Sequence, residues 1–593
     1  MSRLLYRIIT SVALTAAAAG SAFAQSGIEA DHGHGEPGHV CGTITFNDGG
    51  EREAVERTRA TNPALYRKMV EYSKGTADRR GLMAAAGTDD IIFPFFIRNR
   101  VSGNYEEIQA KLVFRGKWAR IWVDVKDTGK VRVKNIIPKL KRAMDTATAQ
   151  GSRNPDKGII ENDQEVFGMP PVNRFDPESP AQDFLLTDIQ DGLSGGFVGG
   201  FFQPYDQTDQ PGSNRMNILY IDSNEGLSGS GADIKLFSTM AHEYQHLIHY
   251  QTNKDSHVFF NEGCSETASL LMGYEDRSNS DYLGKVNLPL FRWSYDDNVG
   301  VQLGIDYQRA MTFVHYIYEQ YGEQFLTAFA SNKAEGMERI AQTLTSIGRE
   351  PDWKMLLNGY AVANYVGREY PDSRFVYRNR LSTKTPIAEQ TYDGNGEIPG
   401  AGSVALQQYA TAYVVYNNPG GLKFNFTASS QPYKAMAMLY KGGPIPVQVT
   451  EVEIGQDYTF AHNGSAPYDK IVIAVVNHSS NAQTANWTVE RVTLGVDDIV
   501  NASTGGLAIN EIVPNPSRGA SEVKFTNAKS GAVTIDIYNT TGQLMKRVVD
   551  GERFEPGEHG VRIQTGDMQN GVYMVRVSQE SGMTNGMLVV LNK

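Results

Sequence analysis

Cysteine is nearly absent: Cys41 and Cys264 are the only two in 593 residues. A chain of this size is therefore not held together by a disulfide framework and must rely on packed cores. Long apolar runs are missing too. The stretch Ile8 to Ala18 is too short to span a bilayer, and no later segment is long and apolar enough to cross one. A basic excess is also lacking, with 56 Lys and Arg against 67 Asp and Glu and a net charge of −11. That argues against nucleic acid as the main partner, because phosphate binding needs a basic surface. What is present is an ordinary globular mixture rich in glycine (59 residues), with abundant Tyr, Thr and Val. Such a chain makes many strands and turns, and it is too long for a single core.

Read in order, the sequence predicts five regions. Arg3 and Arg7, the short apolar run, and Ala22-Phe23-Ala24 predict a removable signal peptide over 1–24. Residues 25–90 predict a prosegment. It has a Gly- and His-rich tract with His32, His34 and His39, then a charged, helix-prone block from Glu51 to Ala86 standing outside the main core. Residues 91–382 predict an α+β domain. Strands are expected at Ile92 to Ile97, Glu107 to Phe114, Ala119 to Val125 and Met216 to Asp222. A helix is expected at Ile137 to Ala149 with Pro138 in its first turn. Ile159 to Phe167, Asp183 to Asp188 and Phe197 to Phe202 read as strand or loop. Helices are then expected at Leu236 to Gln251, Asn261 to Met272, Asp306 to Tyr321, Glu323 to Ser331 and Gly336 to Ser346. Residues 403–496 and 508–593 alternate short strands with turns, which predicts two β-sandwiches, the second of about seven strands.

The chemistry concentrates in His242-Glu243-x-x-His246. Residues four apart share a helical face, so two imidazoles there can grip one zinc ion. Glu243, one position round the helix, is placed to take a proton from a zinc-bound water. A catalytic zinc needs a third protein ligand. A third histidine six residues after the second is ruled out, because the pattern's Gly and His positions hold His249 and Thr252. A carboxylate on a following helix remains, and Glu262 fits. Glu266, four residues on, shares its face and can accept a hydrogen bond from the second nitrogen of a ligand histidine. Nothing indicates calcium as a second ion. Downstream, Tyr307 is the first candidate and His315 the second for a donor to negative charge developing on a substrate oxygen; the alternative for Tyr307 is simple packing between helices. Phe197 to Phe202 would serve as an edge strand pairing with extended substrate.

His242-Glu243-x-x-His246 with Asn261-Glu262-x-x-Ser265-Glu266 resembles the gluzincin metallopeptidases. The resemblance implies a zincin-like fold, Glu262 as third zinc ligand and Glu266 as support for a ligand histidine. Phe167-Gly168, Leu185 to Asp188, Tyr220-Ile221-Asp222 and Tyr307 to Gly322 resemble a narrower branch, the hyicolysin-like secreted bacterial peptidases, over about 91–377. Cys41-Gly42-Thr43 is similar to the switch segments of some metzincins, which implies a thiolate that blocks the open zinc position. A Cys41–Cys264 disulfide is the competing reading, and two unrelated thiols a third. Asn510 to Gly519, Val533 to Asn539, Gly571 to Val577 and Val589 to Lys593 closely resemble the C-terminal sorting domain of the type IX secretion system. That implies passage through the periplasm to the cell surface or medium, with the secretion machinery as partner. The expected function is a secreted zinc endopeptidase made as a precursor and acting on proteins or peptides. The rivals are a surface adhesion or glycan-binding protein with an inactive zincin-like core, and an aminopeptidase, which would need an acidic anchor that is not evident.

Overall fold

The structure is a computed structural model. It describes residues 38–39, 43, 49–75, 91–192, 196–274, 277–293, 303–378, 381–382, 384–394, 398–427, 432–460, 468–491, 507–539, 543–579 and 582–592. The expected signal peptide, His32, His34 and Cys41 lie outside the described residues. The protein is multidomain, mixing helices with many sheets. The chain divides into two compact units: residues 1–148, 156–161 and 171–247, and residues 149–155, 162–170 and 248–593.

The first unit is built on a six-stranded sheet. In spatial order its strands are Ile92–Arg98, Tyr105–Arg115, Ala119–Asp124, Gln182–Thr187, Ile218–Asp222 and Gly200–Phe202. The first three are antiparallel, the middle three parallel, and Gly200–Phe202 is an antiparallel edge strand with Phe201 opposite Tyr220. Parallel strands need cover on both faces, and Ala119–Asp124, Gln182–Thr187 and Ile218–Asp222 are buried at every residue. The buried Arg120 among them is paired. Arg120 donates to both carboxylate oxygens of Asp183 at 2.8 Å and to Asp176 at 2.9 Å, the forked geometry that makes a buried ion pair tolerable.

Two helices, Glu51–Thr61 and Pro63–Ser73, cover this sheet. Asn62 caps the second by accepting the Leu65 N–H at 3.1 Å, with Pro63 in the first turn. Ala54, Val55, Leu65, Met69 and Tyr72 belong to the same apolar cluster as Phe93, Trp122, Leu185 and Tyr220. This corrects the expectation of a block outside the main core: interleaved charges mark the solvent faces of two amphipathic helices. Two further corrections concern periodicity. The expected helix from Ile137 is Val131–Asp145, with Pro138 in its interior and Val133, Ile136, Leu140, Ala143 and Met144 on its buried face. Ile159–Phe167, expected as strand or loop, is a helix.

The second unit holds five helices of nine residues or more among its described residues: Val258–Met272, Leu303–Tyr321, Glu323–Ser331, Gly336–Ser346 and Trp353–Val366. The last escaped the sequence reading because it is buried nearly all round and shows no apolar stripe. A β-domain follows. Its five-stranded sheet has the order 390–393, 411–420, 468–477, 433–440, 446–452, and its four-stranded sheet the order 401–406, 483–491, 422–427, 457–460. The two enclose a core that includes Phe424, Phe426, Tyr458, Ile473 and Trp487. The C-terminal module has a three-stranded and a four-stranded sheet, seven strands among the described residues, around Val523, Phe525, Ile535, Val575 and Leu588. Among the described residues no helix is long and apolar enough to cross a membrane.

Candidate metal centre

The signature lies on the 22-residue helix Ala232–Asn253. Its apolar side chains Phe237, Met240, Ala241, Tyr244, Leu247 and Ile248 are buried, and so are Thr239, His242, Glu243, Gln245, His246 and His249. A helix buried on its polar face as well must engage those groups. One helical turn brings the His242 and His246 rings to 4.7 Å between centroids, nearly perpendicular, with their Nε2 atoms 3.0 Å apart.

Glu262 comes from Val258–Met272. The His257 ring accepts the Phe259 N–H at 3.2 Å to start this helix, and Gly273, at φ 70°, ends it. One ligand atom from each of His242, His246 and Glu262 lies within 4.8 Å of the others, and all three residues are buried. It is the one such group among the described residues. Tetrahedral zinc bonds of about 2.0–2.1 Å place ligand atoms roughly 3.3 Å apart. Two ring nitrogens at 3.0 Å and a carboxylate close by match that spacing and the N2O donor chemistry of a catalytic zinc site, so the residues fit the metal.

Glu243 is fully buried. Its Oε2 accepts the Phe202 N–H at 3.2 Å and the hydroxyl of Thr43. Glu266 is buried one turn beyond Glu262. Tyr307 packs edge-on against Trp293 with 5.2 Å between ring centroids. His315 is buried on the same helix with Nε2 3.2 Å from Glu319 Oε1, so its ring is turned to its own helix's carboxylate. Cys264 is a free, buried thiol pushed up to about 12 by burial, so the disulfide alternative finds no bond at that end. Thr43 is the contact that sequence reasoning missed: a single threonine carries no pattern, and its partners are 159 and 200 residues away.

Gly263 sets how closely the Glu262 helix approaches Leu303–Tyr321. A Cβ there would overlap Val314 and sit 3.0 Å from the Ala310 carbonyl. Gly263→Ala therefore forces two buried helices apart beside Glu262. We expect zinc affinity to fall by about tenfold or more, in the range seen when the support of a metal ligand is disturbed, with about 1–3 kcal/mol lost from stability by overpacking. Competition against a chromophoric chelator measures the first; wild-type affinity would show that the crossing does not position the carboxylate.

Residues 511–591 match the family described as the secretion system C-terminal sorting domain. The C-terminal module is thus a sorting domain of the type IX system, and the chain is exported to the cell surface or the medium. A stretch of 155 residues is 28% identical to the neutral metalloprotease ShpI of Staphylococcus hyicus. It covers 25% of this chain and 31% of that protein, so the chain matches about a third of its relative's length. Among solved structures, dimeric latent PorU from Porphyromonas gingivalis is 14% identical over 35% of this chain and 19% of that one, with a TM-score of 0.14. A mutant of PliG-Ec, a periplasmic inhibitor of g-type lysozyme from Escherichia coli, is 10% identical over 17% of this chain and 98% of that one, with a TM-score of 0.12. Neither structural likeness is close enough to carry an argument.

Proposed function

We propose that the protein is an exported zinc endopeptidase of the gluzincin type, with a zincin-like domain over 91–382. The observation that carries this reading is the buried His242–His246–Glu262 group, with a fully buried carboxylate, Glu243, one residue from the first ligand. His242 and His246 Nε2 and a Glu262 oxygen would hold the ion. Zinc in such a set polarises a scissile carbonyl and makes water acidic enough to attack near neutral pH. Glu243 accepts the proton of the attacking water and returns it to the leaving amine. Glu266 orients a ligand histidine, and Tyr307 donates to the oxyanion. Residues 1–24 act as signal peptide and, of the prosegment expected over 25–90, the stretch up to Thr43 is the removable part while Glu51–Thr61 and Pro63–Ser73 stay with the core, which makes the translated chain a precursor. Residues 403–496 serve as a spacer or substrate-binding module between the peptidase and the sorting domain.

The test is casein hydrolysis by the processed protein, with and without a chelator. We expect cleavage, its loss on chelation, and its return with zinc. No cleavage under any condition overturns the reading in favour of an adhesion protein with an inactive core.

A further inference from the structure

The N-terminal segment enters the site that it precedes. Gly38–His39 pairs in parallel with Gly196–Phe197, Gly38 opposite Gly196 and His39 opposite Phe197. Four residues on, Thr43 is buried at 6% exposure. Its Oγ accepts the Phe202 N–H at 2.8 Å, lies 3.0 Å from the Phe202 carbonyl oxygen, and contacts Glu243 Oε2. A hydroxyl has one proton, so it cannot donate to both oxygens at once. The charged carboxylate is the stronger acceptor, which directs the proton to Glu243. The Phe202 N–H is then shared between Thr43 Oγ and Glu243 Oε2, the latter at 3.2 Å.

We propose that Thr43 is an autoinhibitory plug: its hydroxyl caps the carboxylate of Glu243 while Gly38–His39, just upstream, pairs with the strand Gly196–Phe197. The proposal rests on the peptidase reading of the same site. A proton acceptor engaged by an internal hydroxyl must give up that bond before it can take a proton from water. The neighbouring pairing at 196–197 occupies main-chain groups to which an extended peptide would add as a strand. One short segment thus blocks both the chemistry and the approach.

The plug is tethered close to where it acts. Glu51, eight residues after Thr43, is buried and accepts from Gln203 Nε2 at 2.9 Å, Arg98 at 3.1 Å and Arg100 at 3.3 Å. Gln203 directly follows Phe202. The anchor and the plug therefore grip adjacent residues of one strand end, and a short tether keeps the effective concentration of the hydroxyl high. The rest of the helix Glu51–Thr61 adds Ala54 and Val55 to the core, so the segment leaves only if the chain is cut between Thr43 and Glu51 or peels from the edge.

The experiment compares the unprocessed precursor, without its signal peptide, as wild type, Thr43→Val and Thr43→Ser. Valine keeps the shape and removes the hydroxyl; serine keeps the hydroxyl. The zinc-loaded precursors are assayed on a short fluorogenic peptide. Hydrogen exchange at the Phe202 amide is followed in chelator-treated precursors, where self-cleavage does not intervene. Thr43→Val should raise precursor activity by about tenfold or more, the scale of a hydrogen bond to a charged group, and should speed exchange at Phe202. Thr43→Ser should stay latent and protected. The proposal requires both changes, and either one missing in a folded valine variant overturns it. Thr43→Ala repeats the comparison if valine disturbs folding. Processed enzyme lacking activity of its own overturns the peptidase reading instead, and the exchange data report on the Thr43 contact whether or not any peptide is cut.

Discussion

Replacing Glu243 by Gln is expected to lower peptide hydrolysis by the processed enzyme on the order of a thousandfold or more, while zinc content stays at one ion per chain. A general base contributes typically about 10^2–10^4-fold, and a thousandfold is about 4 kcal/mol of barrier. The proposed metal ligands His242, His246 and Glu262 are untouched, so the ion should remain. The fold should remain too. Glutamine is isosteric, and its side-chain oxygen can still accept the Phe202 N–H that Glu243 Oε2 accepts at 3.2 Å. What the amide cannot do is take a proton. The variant therefore separates the proton-transfer role from metal binding and from packing. Casein cleavage and metal analysis on the same preparation decide it. Cleavage equal to wild type would mean that another group moves the proton, and lost zinc would mean that Glu243 holds the site together instead.

How much of this was legible in the sequence depended on distance along the chain. His242 and His246 are one helical turn apart, so local periodicity alone put their rings together, and the 3.0 Å separation of their Nε2 atoms follows from one helix. Glu262 belongs to a separate helix, and its proximity depends on a crossing that no local pattern reports. The spacing and the resemblance pointed to it, while the close approach at Gly263 was visible only in three dimensions. Buried polar groups blurred other signals. Asn162 and Asp163, both fully buried, interrupt the apolar pattern of Ile159–Phe167 and disguise it as strand or loop. Pro138 read as a helix start because proline is favoured there, yet the buried residues Val133 and Ile136 carry the helix past it in the N-terminal direction. The tail was the opposite case: its strands pair mostly with near neighbours in sequence, such as Gly571–Gln579 with Gly582–Val590, so alternation and turns were sufficient.

The second large effect is at Glu262, and its sign should depend on zinc. Two imidazoles are neutral donors. The Glu262 carboxylate is the one formal negative charge in the three-residue set, and a divalent ion in a buried site depends on it. Glu262→Gln is expected to weaken zinc by more than about 100-fold, beyond the 10–100-fold typical of losing a group that supports a ligand from outside. At a zinc level that holds the wild-type protein a hundredfold above its Kd, the metal stabilises the fold by about 2.7 kcal/mol, and the variant should lose most of that. Without metal the balance reverses. Glu262 is fully buried, and withdrawing a divalent cation from beside a buried carboxylate raises the cost of keeping its charge there. An amide of the same shape carries no such cost, so chelated Glu262→Gln should be as stable as chelated wild type or more so. Thermal melts of both proteins, with zinc and with chelator, therefore cross. Parallel melts with unchanged zinc affinity would mean that the third ligand lies elsewhere and that Glu262 is only a packed residue.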